Sequence, residues 1–319
     1  MKILHITSAY PYPQHEVYGI FVKEQIDSLL DLGVQNDVCF INAREKGSLQ
    51  YLLETGRIRR ISQDCDIVHC HHPYSGMAYL LSTLGNRPMV YSHLGDIEKP
   101  PSRINGILQN ISTHRARAVI FKSNPEARVY PAKYHYLPNG VNTDLFRPMD
   151  QREAKEKLGL DPDKKYILFV SAVGTGNRVK RYDKYQEIMQ RVKLLGWDVD
   201  ELVMAGVERV RTSLYFNAAD ALLLTSDQEG SPNVVKEALA CDIPVVSTDV
   251  GNVQLMLEGC RASFVSRTGT TENMADLLGQ SLRIRERNER SMIFEKGLDM
   301  ASVARKLGEI YQGVLAGVA

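Results

Sequence analysis

Two series of short apolar runs, each run followed by a helical stretch or a polar loop, constrain this chain more than any other feature. The first series comprises residues 3–7, 38–41, 67–70, 89–91, 118–121 and 134–137; the second comprises 166–171, 201–205, 221–225, 244–247 and 262–265. Short apolar runs of this kind fit strands buried on both faces, as in parallel sheets. The stretches between them have helical spacing; residues 21–31, for example, offer Phe21, Ile26, Leu29 and Leu30 as one apolar face. Strands alternating with helices predict an α/β architecture of doubly wound parallel sheets. Between the two series, residues 144–163 carry Pro148, Pro162 and a charged helix at 152–158, which reads as an inter-domain connection. Two Rossmann-like domains follow, with strand C-termini toward a shared cleft, where ligands of open α/β sheets bind.

Length and composition agree with two soluble domains: 319 residues, 44% hydrophobic and 24% charged. A net charge of +1 leaves no excess of cations for general nucleic-acid binding. No apolar run approaches a membrane span, the first residues form a strand rather than a secretion signal, and five cysteines without a Cys-x-x-Cys indicate neither a disulfide framework nor a zinc ribbon. A reduced, cytoplasmic setting is the expectation.

The chemical signal is strongest at residues 227–240. After the apolar run Ala221-Leu222-Leu223-Leu224 come Glu229, Gly230, Ser231, Pro232, Asn233 and Val234, and eight residues beyond Glu229 comes Glu237. Ser231 suits an N-cap and Pro232 the first helical position, so a helix is predicted to start there. Glu237 then lies in the second turn and leans back toward the helix start. Free amides at a helix start attract phosphate, and carboxylates beside them accept hydrogen bonds from hydroxyls. Phosphate and polyol in one place describe a nucleotide-sugar.

This string resembles the E-x7-E signature of the retaining glycosyltransferases of family 4 (group 1), whose fold is GT-B. The resemblance implies that Glu229 holds hydroxyls of the donor sugar, Glu237 holds the ribose, and the loop amides hold the diphosphate. Other segments are similar to the same family. Gly19 follows the first strand, where the family often has two glycines near the diphosphate; Tyr18 stands in place of the other. His93-Leu94-Gly95-Asp96 is similar to the family's His-Gly-x-Asp, which implies contact of His93 with the sugar near its reacting carbon, while the displaced Gly95 puts Asp96 in doubt. Pro138-Asn139-Gly140-Val141-Asn142 matches the segment that ends the N-terminal domain. Lys180 fits the family's diphosphate lysine. Ala172 occupies the usual arginine place, and Arg178 is the substitute.

The resemblance implies domains at residues 1–147 (acceptor side) and 148–300 (donor side), with a last helix at about 301–319 crossing back to the first. Val303, Leu307, Ile310, Val314 and Leu315 form its apolar face. Only residues 207–213 separate one strand from the next helix where the family inserts an α/β unit. The implied reaction is transfer of a sugar from a nucleoside-diphosphate sugar to a hydroxyl of a saccharide or lipid-linked acceptor. No metal or cofactor is expected, since the family holds diphosphate with amides and cations. A GT-B sugar-nucleotide epimerase and a nucleotide-sugar-binding subunit without turnover remain alternatives. His69 and His71 share a strand face, reading as acceptor-side lining, packing or metal ligands. Residues 42–61, with Arg44, Lys46, Arg57, Arg59 and Arg60 around Leu49, Tyr51, Leu52 and Leu53, read either as ordinary solvated surface or as a contact with anionic membrane.

Overall fold

A computed structural model describes residues 1–83, 85–93, 102–122, 133–172 and 174–317. The chain divides into two units, one of residues 1–140 with 300–319 and one of residues 141–299.

In the first unit, β1 (Lys2–Thr7), β2 (Gln35–Phe40), β3 (Ile67–Cys70), β4 (Met89–His93), β5 (Ala118–Phe121) and β6 (Tyr134–Tyr136) form a parallel sheet in the order β2-β1-β3-β4-β5-β6. Successive residues point to opposite faces, and both faces are covered. Leu4, Ile6, Val68, Tyr91 and Val119 pack with Ile58 and Tyr79; Ile3, Ile67, Val90 and Ile120 pack with Leu29 and the helix Met300–Ala316. That last helix buries Val303, Leu307, Ile310, Tyr311 and Val314, whereas Leu315 is 47% exposed. Leu315 lies one residue, a rotation of about 100°, past the buried stripe, and Tyr311 fills the place expected of it. The helix expected at 21–31 runs only over Ile20–Asp27, followed by a single 3-10 turn at Leu30–Leu32. Ser28 bonds back to the Gln25 carbonyl where it ends, and the buried face is Val22, Ile26 and Leu29, with Leu30 exposed.

In the second unit, β7 (Lys165–Val170), β8 (Val199–Met204), β9 (Ala221–Leu224), β10 (Val245–Thr248) and β11 (Phe264–Ser266) form a parallel sheet ordered β11-β10-β9-β7-β8. Ile167, Phe169, Leu223 and Val246 pack under the helices Tyr182–Leu194 and Thr271–Arg283; Leu168, Leu222 and Val245 pack under Asn233–Ala240. Residues 141–147 belong here rather than to the first unit: Val141 donates to the Leu298 carbonyl, and Phe146 meets Phe216 edge-on at 5.6 Å. A single helix, Arg209–Ala218, connects β8 to β9. Each sheet reverses strand order once, at β1/β3 and at β7/β9, and the crevices outside the C-terminal ends of those pairs are the places to look for a ligand site.

Candidate functional site

At the β7/β9 reversal the chain leaves Val170 for a 3-10 turn at Arg178–Lys180, and leaves Leu224 for the helix Asn233–Ala240. The two loops are stitched together. Thr225 Oγ1 lies 2.8 Å from the Lys180 carbonyl and 3.0 Å from that of Arg181, and the Asp227 N–H donates to the Val179 carbonyl. This brings Lys180 Nζ to 2.6 Å from Glu229 Oε1, an oxygen that also accepts from Ser226 Oγ at 2.8 Å. Glu237, buried in the following helix, accepts from Arg209 Nη1 at 2.5 Å, and the Arg209 guanidinium lies 4.7 Å from the Phe146 ring centroid. Each glutamate of the E-x7-E pair thus holds one cation in a half-buried setting, where an unpaired charge is costly.

The helix begins one residue later than expected. Pro232 is its N-cap and Asn233 its first residue, and Ser231 does not cap the backbone. The Ser231 hydroxyl instead accepts from Lys236 Nζ and Asn252 Nδ2, each at 3.2 Å. Pro232 has no N–H to offer. The N–H groups of Gly230, Ser231, Asn233 and Val234 donate to nothing among the described residues, so four donors surround the helix start. Gly251 buttresses this loop: it has φ +57°, and a Cβ there would stand 2.2 Å from the Gly230 carbonyl oxygen, whose partner is the Asn252 N–H.

Arg178 is exposed beside Lys180, and its side chain makes no hydrogen bond or ion pair among the described residues. Arg181 is committed elsewhere, paired with Asp183 at 2.9 Å and Asp227 at 3.1 Å. Of three Asp-x-Asp triplets in the sequence, Asp64-Cys65-Asp66 precedes β3 in the first unit, and Asp161-Pro162-Asp163 and Asp198-Val199-Asp200 sit at the opposite, N-terminal ends of β7 and β8, where Asp163 pairs with Arg152 and Asp200 with Lys164. Neither of the latter two reaches the crevice.

In the first unit, Gly19 (φ +67°) caps the helix Ile20–Asp27, and a Cβ would stand 2.1 Å from the Ala9 carbonyl carbon. The close approach that this glycine permits is therefore to the loop after β1. His93 ends β4 and is buried. Gly95 and Asp96 lie outside the described residues.

His69 and His71 do share a face, with rings stacked at 4.0 Å, and they are joined by His5, in register with His69 on the neighbouring strand. One ring nitrogen from each lies within 4.8 Å of the others, spacing that a metal ion could use. Hydrogen bonds engage five of the six nitrogens: His5 with His71 (3.0 Å) and Asn36 (3.0 Å), His69 with Tyr311 (2.6 Å) and Ser92 (2.7 Å); only His71 Nδ1 has no partner. The arrangement is a packing network that fastens the last helix to the sheet.

Burial lowers the pKa of all three rings, His5 to about 4. Unfolded histidine titrates near 6.5, so below that pH the unfolded chain takes up protons that the folded one refuses. The histidine contribution is complete above pH 6.5 and should fall toward pH 4, by about 1.4 kcal/mol per pH unit for each histidine. Lys122, pushed down to about 7 by burial, contributes in the same direction but only above that pH. Urea midpoints measured from pH 7 to 5 should show the slope, and His71→Gln should reduce it by about one proton's worth. An unchanged midpoint across that range would exclude neutral buried rings.

Comparison with known proteins adds the family context. Residues 166–283 match the family described as glycosyl transferases group 1, and residues 6–145 match glycosyltransferase family 4. A D-inositol 3-phosphate glycosyltransferase of Xylanimonas cellulosilytica is 28% identical over 239 residues, 60% of this chain, and the match spans only 57% of that relative's length. The putative teichuronic acid biosynthesis glycosyltransferase TuaC of Bacillus subtilis is 25% identical over 79% of this chain and 82% of its own. Among solved structures, Anabaena Alr3699/HepE in complex with UDP-glucose superposes with a TM-score of 0.70 at 16% identity, covering 98% of this chain and all of that one.

Proposed function

Since this chain belongs to the group 1 glycosyltransferases of family 4 and has the GT-B fold, we propose that it transfers a sugar from a nucleoside-diphosphate sugar to a hydroxyl of a saccharide or lipid-linked acceptor in glycan biosynthesis, with retention at the anomeric carbon. The observation that carries this reading is the Lys180–Glu229 pair beside four uncommitted helix-start amides at the β7/β9 reversal. A diphosphate seated on those amides draws Lys180 toward itself and frees Glu229 for the hydroxyls of the sugar. Lys180, Arg178 and the amides of Gly230, Ser231, Asn233 and Val234 then stabilise the departing diphosphate charge. Glu237 takes the ribose. Gly19 and His93 keep the roles the family resemblance implies, His93 at the sugar near its reacting carbon. Pro232 fixes the loop rather than donating.

A thermal-shift panel of UDP, GDP, ADP and their sugars tests the reading, with UDP tried first. A ligand at a hundredfold excess over its Kd adds about 2.7 kcal/mol of apparent stability. Glu237→Ala should weaken nucleotide binding by about 1.5–3 kcal/mol, the worth of charge-assisted hydrogen bonds. It also removes the Arg209–Glu237 ion pair, so its ligand-free stability is measured alongside. Nucleotide affinity equal to wild type would remove Glu237 from the ribose site. Product anomers read by NMR decide retention. Isomerised donor without acceptor would make the protein an epimerase, and binding without consumption of donor a non-catalytic subunit.

A membrane contact is a second reading, favoured by the exposure of Leu49 (60%), Leu52 (54%) and Leu53 (65%) next to the helix Thr55–Ser62 with Arg57, Arg59 and Arg60. No helix among the described residues is long and apolar enough to cross a membrane. Basic residues near an anionic surface are worth about 1 kcal/mol each. The protein should sediment with anionic but not neutral vesicles, and glutamine at all three arginines should release it. Equal sedimentation with both lipids returns the segment to ordinary surface.

A further inference from the structure

We propose that a basic cavity at the N-terminal edge of the first unit's sheet binds a phosphate-bearing anion. The cavity, about 560 Å³, opens where β4 and β5 begin and is bordered by Arg87, His114, Arg115, Arg117 and Lys133. His93 closes the other end of β4, about 13 Å away at 3.3 Å per residue, so this is a different place from the family's ligand sites.

Charge selects the ligand class. Arg87, Arg115, Arg117 and Lys133 put four formal positive charges around one volume, and no carboxylate borders it among the described residues. The whole chain carries a net charge of only +1, so the concentration is local. Structural duties use part of these cations' capacity. Arg87 donates to the Gln63 carbonyl, and Lys133 Nζ donates at 3.0 Å to the Thr113 carbonyl in the last turn of the helix Arg103–Arg115. A guanidinium has five N–H donors and an ammonium three, so both retain free ones. Arg117 is engaged through its backbone alone among the described residues. Its backbone N–H is pinned to the Met89 carbonyl at 2.8 Å, while its side chain makes no hydrogen bond or ion pair among the described residues. A guanidinium held at a cavity mouth suits the two-point geometry of a phosphate. The volume lies in the range of small-molecule sites and is large enough for a phosphate monoester or a phospholipid headgroup.

Inorganic phosphate titrated into the full-length protein, followed by amide NMR, tests this directly. The amides of Gly85, Asn86, Arg87 and Arg117 should shift, and Arg117→Gln with Lys133→Gln should weaken that response by about tenfold or more, as loss of charge-assisted hydrogen bonds predicts. Lys180→Ala should leave it unchanged, which separates this cavity from the proposed donor site. Vesicles of phosphatidylcholine with and without phosphatidylglycerol distinguish the sources of phosphate. Sedimentation lost in the Arg117/Lys133 double variant identifies a lipid headgroup; amide shifts without sedimentation identify a soluble phosphate compound. Phosphate shifts confined to the loop around Gly230, or equal responses in wild type and double variant, overturn the proposal.

Discussion

Lys180→Ala is expected to lower the turnover of sugar transfer by about 10²–10³-fold, the cost of removing one preorganised donor from a developing negative charge. Glu229→Gln should also lose most transfer but keep nucleoside diphosphate binding, because Lys180, Arg178 and the helix-start amides proposed to hold the diphosphate all remain. The two residues face each other at 2.6 Å in the ligand-free protein. Their effects should therefore not add: once one is gone the other has lost its partner, and the double variant should be little worse than the poorer single one. Strict additivity in such a cycle, or near-normal turnover in Lys180→Ala, would show that the pair is a surface ion bridge without a part in transfer.

Removal of residues 300–319 should prevent the first unit from folding. Val303, Leu307, Ile310 and Val314 are all buried against the sheet. Buried apolar side chains are worth about 1.5–3 kcal/mol each, so the four together match the whole stability of an ordinary domain. Tyr311→Phe offers a gentler test. It leaves His69 Nδ1 without its partner deep in the unit and should cost about 1–3 kcal/mol. A soluble truncation with a single cooperative unfolding transition would refute the role given to the helix.

The sheets were legible from the sequence because they are parallel and covered on both faces. β3 and β5 coincide with their apolar runs residue for residue, since nothing but burial shapes those runs. The switch-point string around Glu229 was legible because strand, loop and helix start follow one another without interruption. What the sequence hid depends on partners far along the chain. His5 stands out only once β1 and β3 are in register, and Tyr311 only once its hydroxyl meets a ring 242 residues earlier. Arg209 fell in a stretch recognised only for what it lacked. Lys236, fully buried with its ammonium on Ser231, passed as an ordinary helix residue, although a lysine in so apolar a helix was the available signal. At Ser231, capping preference lost to those side-chain donors.

The discontinuity of the first unit sets an order of events during synthesis. Domains tend to fold as they leave the ribosome, the N-terminal one first. Here the second unit, residues 141–299, is contiguous and has all its own strands before the last helix is made, whereas the unit begun at residue 1 still lacks that helix. Until it arrives, the part of one sheet face that Leu29 does not pack against stays uncovered and His69 waits for Tyr311. Residues 1–140 are thus made before the second unit and completed after it, and a ribosome stalled after residue 299 would hold a finished second unit and an unfinished first one. Chaperone dependence and aggregation during expression should trace to that interval.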